Sequence, residues 1–150
     1  MGWTINRLVN QFEAIGVSHS EIRTFGYGFD FDINNQLQSN TRYPQLWVQP
    51  LNSQILAGRS NSFIQRNFRL WCYDLERNDE DNRISVWNDT ELILLDIIRL
   101  FSYGSKEYKI VNNPILVPFQ ESFGENVTGY WAEVTIQTAE YTGTCDVPGF

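Results

Sequence analysis

The sequence is poor in cysteine and histidine, and it lacks long hydrophobic runs. Cys72 and Cys145 are the only cysteines, and His19 is the only histidine, among 150 residues. Two thiols so far apart in sequence fit neither a zinc cluster nor a disulfide-dense secreted scaffold, so both are predicted to be reduced. No segment reaches the ~20 apolar residues of a membrane span, and the N-terminus contains no signal-peptide core. We therefore expect synthesis in a cytoplasm and no membrane contact.

Basic residues are also scarce. Eleven Lys and Arg stand against eighteen Asp and Glu, which gives a net charge of −7. Because phosphate binding depends on clustered basic side chains, this balance argues against specific or adhesive binding of nucleic acid and leaves only passive contact with DNA. Hydrophobic residues make up 42% of the chain and aromatic residues 15%, enough for a substantial core. Residues 1–150 are predicted to form a single domain.

Two stretches show the spacing of amphipathic helices. In TINRLVNQFEAIG, apolar residues recur every three or four positions, with Thr4 as a candidate N-cap and Gly16 as a candidate stop. A longer helix is predicted in ISVWNDTELILLDIIRLFSYG, residues 84–104, with Gly104 at its end. The apolar stripe of this longer helix contains Trp87, Leu94, Leu95, Ile97, Ile98 and Phe101.

Alternation of side chains predicts the strands. FGYGFDFDI, residues 25–33, alternates aromatic residues with glycine and aspartate, and QLWVQPL and FIQRNFRLWCYDL follow it. Two further strands flank a turn near Gly124 and Asn126. The order of helix, two or three strands, helix and two strands predicts an α+β fold: a mainly antiparallel sheet with an N-terminal helix and one longer helix packed on it.

Two segments are predicted to extend from this core. Residues 52–65 are small and polar around Gly58, which is typical of a flexible hairpin tip. Residues 142–150, TGTCDVPGF, are predicted to form an extended C-terminal tail. Either segment could become ordered on a partner.

The strand FIQRNFRLWCYDL carries large side chains on both faces. Phe68, Leu70 and Cys72 share one face, whereas Trp71 and Tyr73 lie on the other. Two apolar faces indicate a second covered surface, provided either by a helix of the same chain or by a neighbouring subunit.

The acidic run DLERNDEDN, residues 74–82, is the main candidate for metal binding. An EF-hand loop needs glycine at its sixth position and glutamate at its twelfth. Counted from Asp74, these positions hold Asp79 and Ser85, so calcium binding is not predicted. The run is interpreted as a solvated turn before the longer helix, whose positive N-terminal end favours nearby carboxylates.

Candidate catalytic groups are few. His19 lies between two serines, but side chains adjacent in sequence do not face each other as a nucleophile and its base must. Asp30 and Asp32 project from one strand face about 7 Å apart, which is a weak signal for a hydrolase. The sequence therefore predicts no enzyme, no cofactor and no metal site, with an Asp30 and Asp32 hydrolase as the weakest option.

Several stretches resemble a known family. NFRLWCYDLERNDEDN, ISVWNDTELILLDIIRLF, PFQESFGENVTGYWAEVTIQT and the closing CDVP are similar to small neck or tail-completion proteins of tailed bacteriophages, especially crAss-like phages. The similarity covers roughly residues 20–148, and it implies the compact α+β fold of head–tail connector and tail terminator subunits. It also implies a homo-oligomeric ring of six or twelve copies that contacts portal, neck and tail proteins, with the genome passing through its lumen.

A virion protein of this kind, made in the host cytoplasm, needs surfaces for its neighbours, and strand addition between subunits is the expected mode of contact. The candidate subunit or partner contacts are Trp47, Ile55, Leu56, Phe63, Trp71, Tyr73, Trp131, Val147 and Phe150. The acidic turn is the candidate lumen surface, because carboxylates repel phosphate; it comprises Asp79, Glu80 and Asp81.

The alternative function is a carbohydrate-binding module or tail-fibre accessory. In that hypothesis Trp47, Trp71 and Trp131 project from outward strand positions and together form a platform that stacks on sugars. Oligomeric state distinguishes the two hypotheses, since a binding module can act as a monomer whereas a ring subunit cannot.

Overall fold

The computed structural model of this chain describes residues 2–29, 42–56, 63–76, 80–122 and 126–139. Two helices and six strands occur in this part of the chain. In chain order they are α1 (Ile5–Ser18), β1 (Thr24–Tyr27), β2 (Gln45–Leu56), β3 (Phe63–Leu75), α2 (Glu80–Ser102), β4 (Tyr108–Ile110), β5 (Leu116–Ser122) and β6 (Asn126–Ala139).

The six strands form one sheet in the order β1-β2-β3-β6-β4, and β5 also pairs with β6. All pairs are antiparallel except the parallel pair of β1 and β2. Apolar residues of both helices pack with one face of the sheet in a single buried cluster. The structure thus confirms the predicted α+β fold, with three strands after α2 instead of the two expected.

The first helix is fixed by a cap and by its buried face. The Arg7 amide donates a hydrogen bond to Thr4 Oγ1 at 3.1 Å, which confirms Thr4 as the N-cap. Phe12 is fully buried and stacks on Phe101 of α2, with ring centroids 4.0 Å apart. Gly16 does not end the helix as predicted, because α1 continues to Ser18 and His19 is its C-cap.

The second helix begins at Glu80, four residues before the predicted start. The acidic residues Glu80 and Asp81 therefore belong to its first turn and do not precede it. Its buried face follows a helical repeat that contains three of the six predicted stripe residues and three others, while Trp87, Leu95 and Ile98 are half-buried. The buried residues are Leu94, Ile97 and Phe101, together with Val86, Thr90 and Ile93.

The alternation predicted for β3 and β6 agrees with the structure, whereas the strands at the β1 edge of the sheet differ more from the prediction. β3 has the predicted bounds, whereas β2 extends to Leu56, so strand structure continues well into the predicted flexible tip of 52–65. Residues 57–62, the predicted tail 142–150 and the later part of the strand predicted at 25–33 lie outside the described residues. Tyr27 and Phe29 are exposed, so the aromatic positions of the strand predicted at 25–33 do not all face the core.

The strand β6 has partners along both edges. β3 pairs with it from Val127 to Ala139. On the opposite edge β5 pairs with its first half and β4 with its second half. Asn112 fills the gap between them, because its Nδ2 donates to the Glu133 carbonyl and its Oδ1 accepts from the Thr135 amide, each at 2.9 Å. The Val111 amide also donates to the Thr135 carbonyl, at 2.9 Å, so a single residue pair takes the place of a stretch of strand.

A glycine is required where β6 passes closest to β3. Gly129 lies between Tyr73 of β3 and Phe119 of β5 in the strand register. A Cβ at this position would lie 2.7 Å from the Tyr73 Cα and would also meet the carbonyl of Cys72. The rings of Tyr73 and Phe119 instead approach each other across the glycine, with centroids 6.2 Å apart. Gly129 is therefore required because the backbone of β3 leaves no room for a side chain at this position.

We expect Asn112→Ala to lower the free energy of unfolding by about 1–2 kcal/mol, because two hydrogen bonds to the β6 backbone are lost. The neighbouring exposed Asn113 provides the matched control, and Asn113→Ala should change stability little. Urea denaturation of both variants at an unchanged m-value measures the difference. Equal effects of the two substitutions would contradict the bridging role of Asn112.

Candidate functional site

The aromatic residues predicted to face a partner lie mostly inside the chain. Trp47 is 2% exposed, Trp71 is 7% exposed and Tyr73 is fully buried. They form a second cluster with Phe119 and Val127, on the sheet face opposite the helices. The predicted exposure of these three rings is therefore wrong, although the prediction of a second covered face is right.

Ring contacts and hydrogen bonds hold this aromatic cluster together. Trp71 meets Phe119 edge to face, with ring centroids 5.0 Å apart. The indole nitrogens also have acceptors: Trp47 Nε1 donates to the Gly28 carbonyl at 3.0 Å, and Trp71 Nε1 donates to Gln49 Oε1 at 2.9 Å. Burial raises the pKa of the Tyr73 phenol. The cluster has the properties of a core and not those of a stacking platform.

Trp131 is the exception, since it is only half-buried. The Arg69 guanidinium lies over its ring at 4.3 Å and pairs with Glu133, with Nη2 and Oε1 2.6 Å apart. Beside the ring is an open cleft of about 260 Å³. Its lining combines apolar and amide groups, from Asn112, Asn113, Ile115, Val117, Trp131 and Glu133.

The last residues of the β2–β3 pair form a second candidate surface, which we call the hairpin end: residues 53–56 and 63–66. Ile55 is 62% exposed, and Leu56 and Phe63 are half-buried. Ile55 pairs with Ile64 in the register. The predicted contacts Ile55, Leu56 and Phe63 are thus brought together.

Arg66 is the charged residue of the hairpin end. Its Nη1 donates to Thr138 Oγ1 at 3.2 Å, and it has no carboxylate partner among the residues that the structure describes. Partial burial lowers the pKa of its guanidinium. Arg66 is therefore a partly desolvated cation whose charge is not neutralised within the described part of the chain.

A third candidate surface was not predicted. On α2, Asp89, Leu92, Asp96 and Leu100 are exposed and follow one another at spacings of three, four and four residues, so they share one side of the helix. We call this the outer helix face. Leu92 is 53% exposed and Leu100 is 50% exposed, while the buried residues of α2 point to the sheet.

Charge is unevenly distributed between these surfaces. The segment 33–73, which includes the hairpin end, contains four arginines and no Asp or Glu. All eighteen carboxylates of the chain lie outside it. Counting acidic and basic residues segment by segment, and not only over the whole chain, would have revealed this carboxylate-free segment.

The remaining predicted site residues do not form a reactive centre in the described regions. His19 is engaged at both ring nitrogens, because Nδ1 accepts from the Glu21 amide and Nε2 lies 3.2 Å from Asp96 Oδ2. It is thus the C-cap residue of α1, held by contacts at both ring nitrogens. Asp30, Asp32, Asp79, Val147 and Phe150 lie outside the described residues, and Glu80 and Asp81 were placed above in the first turn of α2.

The acidic run contains a structural ion pair that the sequence did not reveal. Glu76 accepts from Arg83 Nε at 2.9 Å and from Gln120 Nε2 at 2.6 Å. These contacts tie the end of β3 to α2 and to β5. The described residues contain no group of three His, Cys, Asp or Glu side chains placed to hold a metal, and no helix among them is long and apolar enough to cross a membrane.

Comparison with protein-family models gives no match for this chain, and comparison with curated proteins gives none either.

Cys72 is expected to be chemically inert in the native state. Burial, followed by the nearby charge of Asp74, raises the pKa of its thiol, so the reactive thiolate is not formed near neutral pH. In a Cys145→Ser variant, a thiol reagent should label Cys72 at least about 100-fold more slowly before unfolding than after it. Ser53→Cys in the same variant places a thiol on an exposed strand position and should react at once. Fast labelling of the Cys145→Ser variant that lacks Ser53→Cys would contradict the burial of Cys72.

Proposed function

We propose that this chain is a structural subunit of a closed ring in the neck of a tailed bacteriophage, between portal and tail, with the genome passing through the lumen. The sequence resemblance and the α+β fold support this proposal. The observation that carries it is the pair of apolar surfaces on different parts of one subunit, the hairpin end and the outer helix face. Two unlike surfaces favour head-to-tail contacts, which form a ring when the rotation closes.

The overall charge supports passage of DNA through such a ring. A net charge of −7 gives the lumen wall a surplus of carboxylates that repel phosphate, so the genome slides without adhering. The acidic run that leads into α2 is the proposed lumen surface. DNA contact is thus passive and independent of base sequence.

A carbohydrate-binding module is the second candidate, and the cleft beside Trp131 is the observation that favours it. An aromatic ring next to the amides of Asn112 and Asn113 is suited to a sugar. Burial of Trp47 and Trp71 reduces the proposed platform to one ring, however, and Arg69 covers one side of that ring. We therefore rank this function below the ring.

The mass and shape of the purified chain test the proposed function. We expect light scattering to give six or twelve times the 17.5 kDa of one chain, and negative-stain images to show rings with an open centre. Images recorded after DNA is added should show no more DNA bound to the rings at low salt than at high salt.

A chain that stays monomeric at all concentrations and binds a glycan would contradict the ring and support the second candidate. Trp131→Ala supplies the control for that outcome. It should abolish glycan binding if the cleft is a sugar site, whereas in a ring subunit its only possible effect is on subunit contact.

A further inference from the structure

The hairpin end and the outer helix face complement each other in charge and in apolar content. We propose that the hairpin end of one copy docks on the outer helix face of the next copy, with Arg66 facing Asp89. This inference rests on the proposed function, because it identifies the contact that joins neighbouring subunits of the ring.

Arg66 and Asp89 have no ion-pair partner among the residues that the structure describes. The described ion pairs involve Arg7 with Glu107, His19 with Asp96, Arg69 with Glu133 and Arg83 with Glu76. Arg66 and Asp89 occur in none of them. A partly desolvated guanidinium gains most from a carboxylate that a partner supplies, because the pair then lies in a less aqueous environment. Asp89 is such a carboxylate, since it is exposed on the outer helix face.

The apolar groups of the two surfaces have compatible spacing. Ile55 and Ile64 are paired across β2 and β3, two strand positions from Arg66, which is about 7 Å. On α2, Leu92 lies three residues after Asp89, and this is an axial rise of about 4.5 Å. Two isoleucines can therefore contact the leucine while the arginine reaches the aspartate. Leu100, half exposed, extends the apolar contact along the helix.

The occupant of the outer helix face is a second copy of this chain and not a different protein, because the chain itself carries the matching surface. Arg66 on the hairpin end of one copy meets the exposed Asp89 on the helix of the next. The contact is also directional. Each subunit offers one hairpin end and one outer helix face, so every copy binds two neighbours in the same sense around the ring.

Charge reversal tests the contact. Asp89→Arg and Arg66→Asp each place like charges opposite one another, and we expect each to raise the protein concentration needed for ring formation by at least about tenfold. The double variant R66D/D89R exchanges the two charges and should restore rings close to the wild-type concentration. Glu13→Arg, the same charge change on an exposed position of α1, is the matched control and should leave assembly unchanged.

The outcomes separate this contact from the ring itself. If the wild-type chain forms rings and both single-reversal variants form them equally well, the docking contact is overturned and the ring function stands. Single reversals that dissociate the ring without rescue by the double variant would show that the two residues do not face each other. A wild-type chain that forms no ring would overturn the proposed function and this contact with it. Circular dichroism of each variant confirms that the subunit is folded.

Disulfide trapping tests proximity by an independent route. In a Cys145→Ser background, Ile55→Cys combined with Leu92→Cys should yield covalent oligomers up to the full ring on oxidation, with Cys72 buried and unreactive. Ile55→Cys combined with Ile115→Cys is the matched control, because Ile115 is highly exposed on the connection between β4 and β5. Equal cross-linking of the two pairs, or none in the first, would overturn the contact.

Discussion

The backbone of β6 must find hydrogen-bond partners along both edges of a fourteen-residue strand, and the rest of the structure depends on this constraint. β3 satisfies one edge in an unbroken ladder. The other edge is satisfied by three separate pieces: β4, the pair Val111 and Asn112, and β5. Because the chain leaves α2 and must run back along this edge, the order of the last elements follows from the pairing. β6 is thus an interior strand, and both of its faces can be covered.

Covering both faces gives the sheet two apolar layers of different character. On the helix side the layer is mainly aliphatic, with Phe12 stacked on Phe101. On the other side Trp47, Trp71 and Trp131 lie next to one another across three strands. Indoles at the centre of a sheet are stable only when their N–H groups find acceptors, and Gln49 and Gly28 provide them. Exposure therefore increases along the row of tryptophans, from the buried Trp47 to the half-buried Trp131.

The features that depend on local periodicity were predictable from the sequence, and those that depend on distant contacts were not. The bounds of β3, the cap at Thr4 and the buried positions Leu94, Ile97 and Phe101 follow from spacing alone. The start of α2 at Glu80 carries no apolar repeat, so its pattern resembles a turn. Alternation places Trp71 and Tyr73 on one face but does not say what covers that face. The Asn112 bridge joins residues more than twenty positions apart, and no local pattern encodes it.

The distribution of charge adds a constraint on how copies can associate. Arg69 is an arginine whose charge is neutralised within the sheet, since Glu133 pairs with it and Trp131 lies beneath it. Arg66, three residues earlier, has no such carboxylate among the residues that the structure describes. Two hairpin ends brought together would place Arg66 against its own copy, and two outer helix faces would oppose their carboxylates, so both symmetric pairings are repulsive. The unlike pairing alone joins opposite charges. Segregation of charge would therefore favour the proposed head-to-tail contact over a closed dimer.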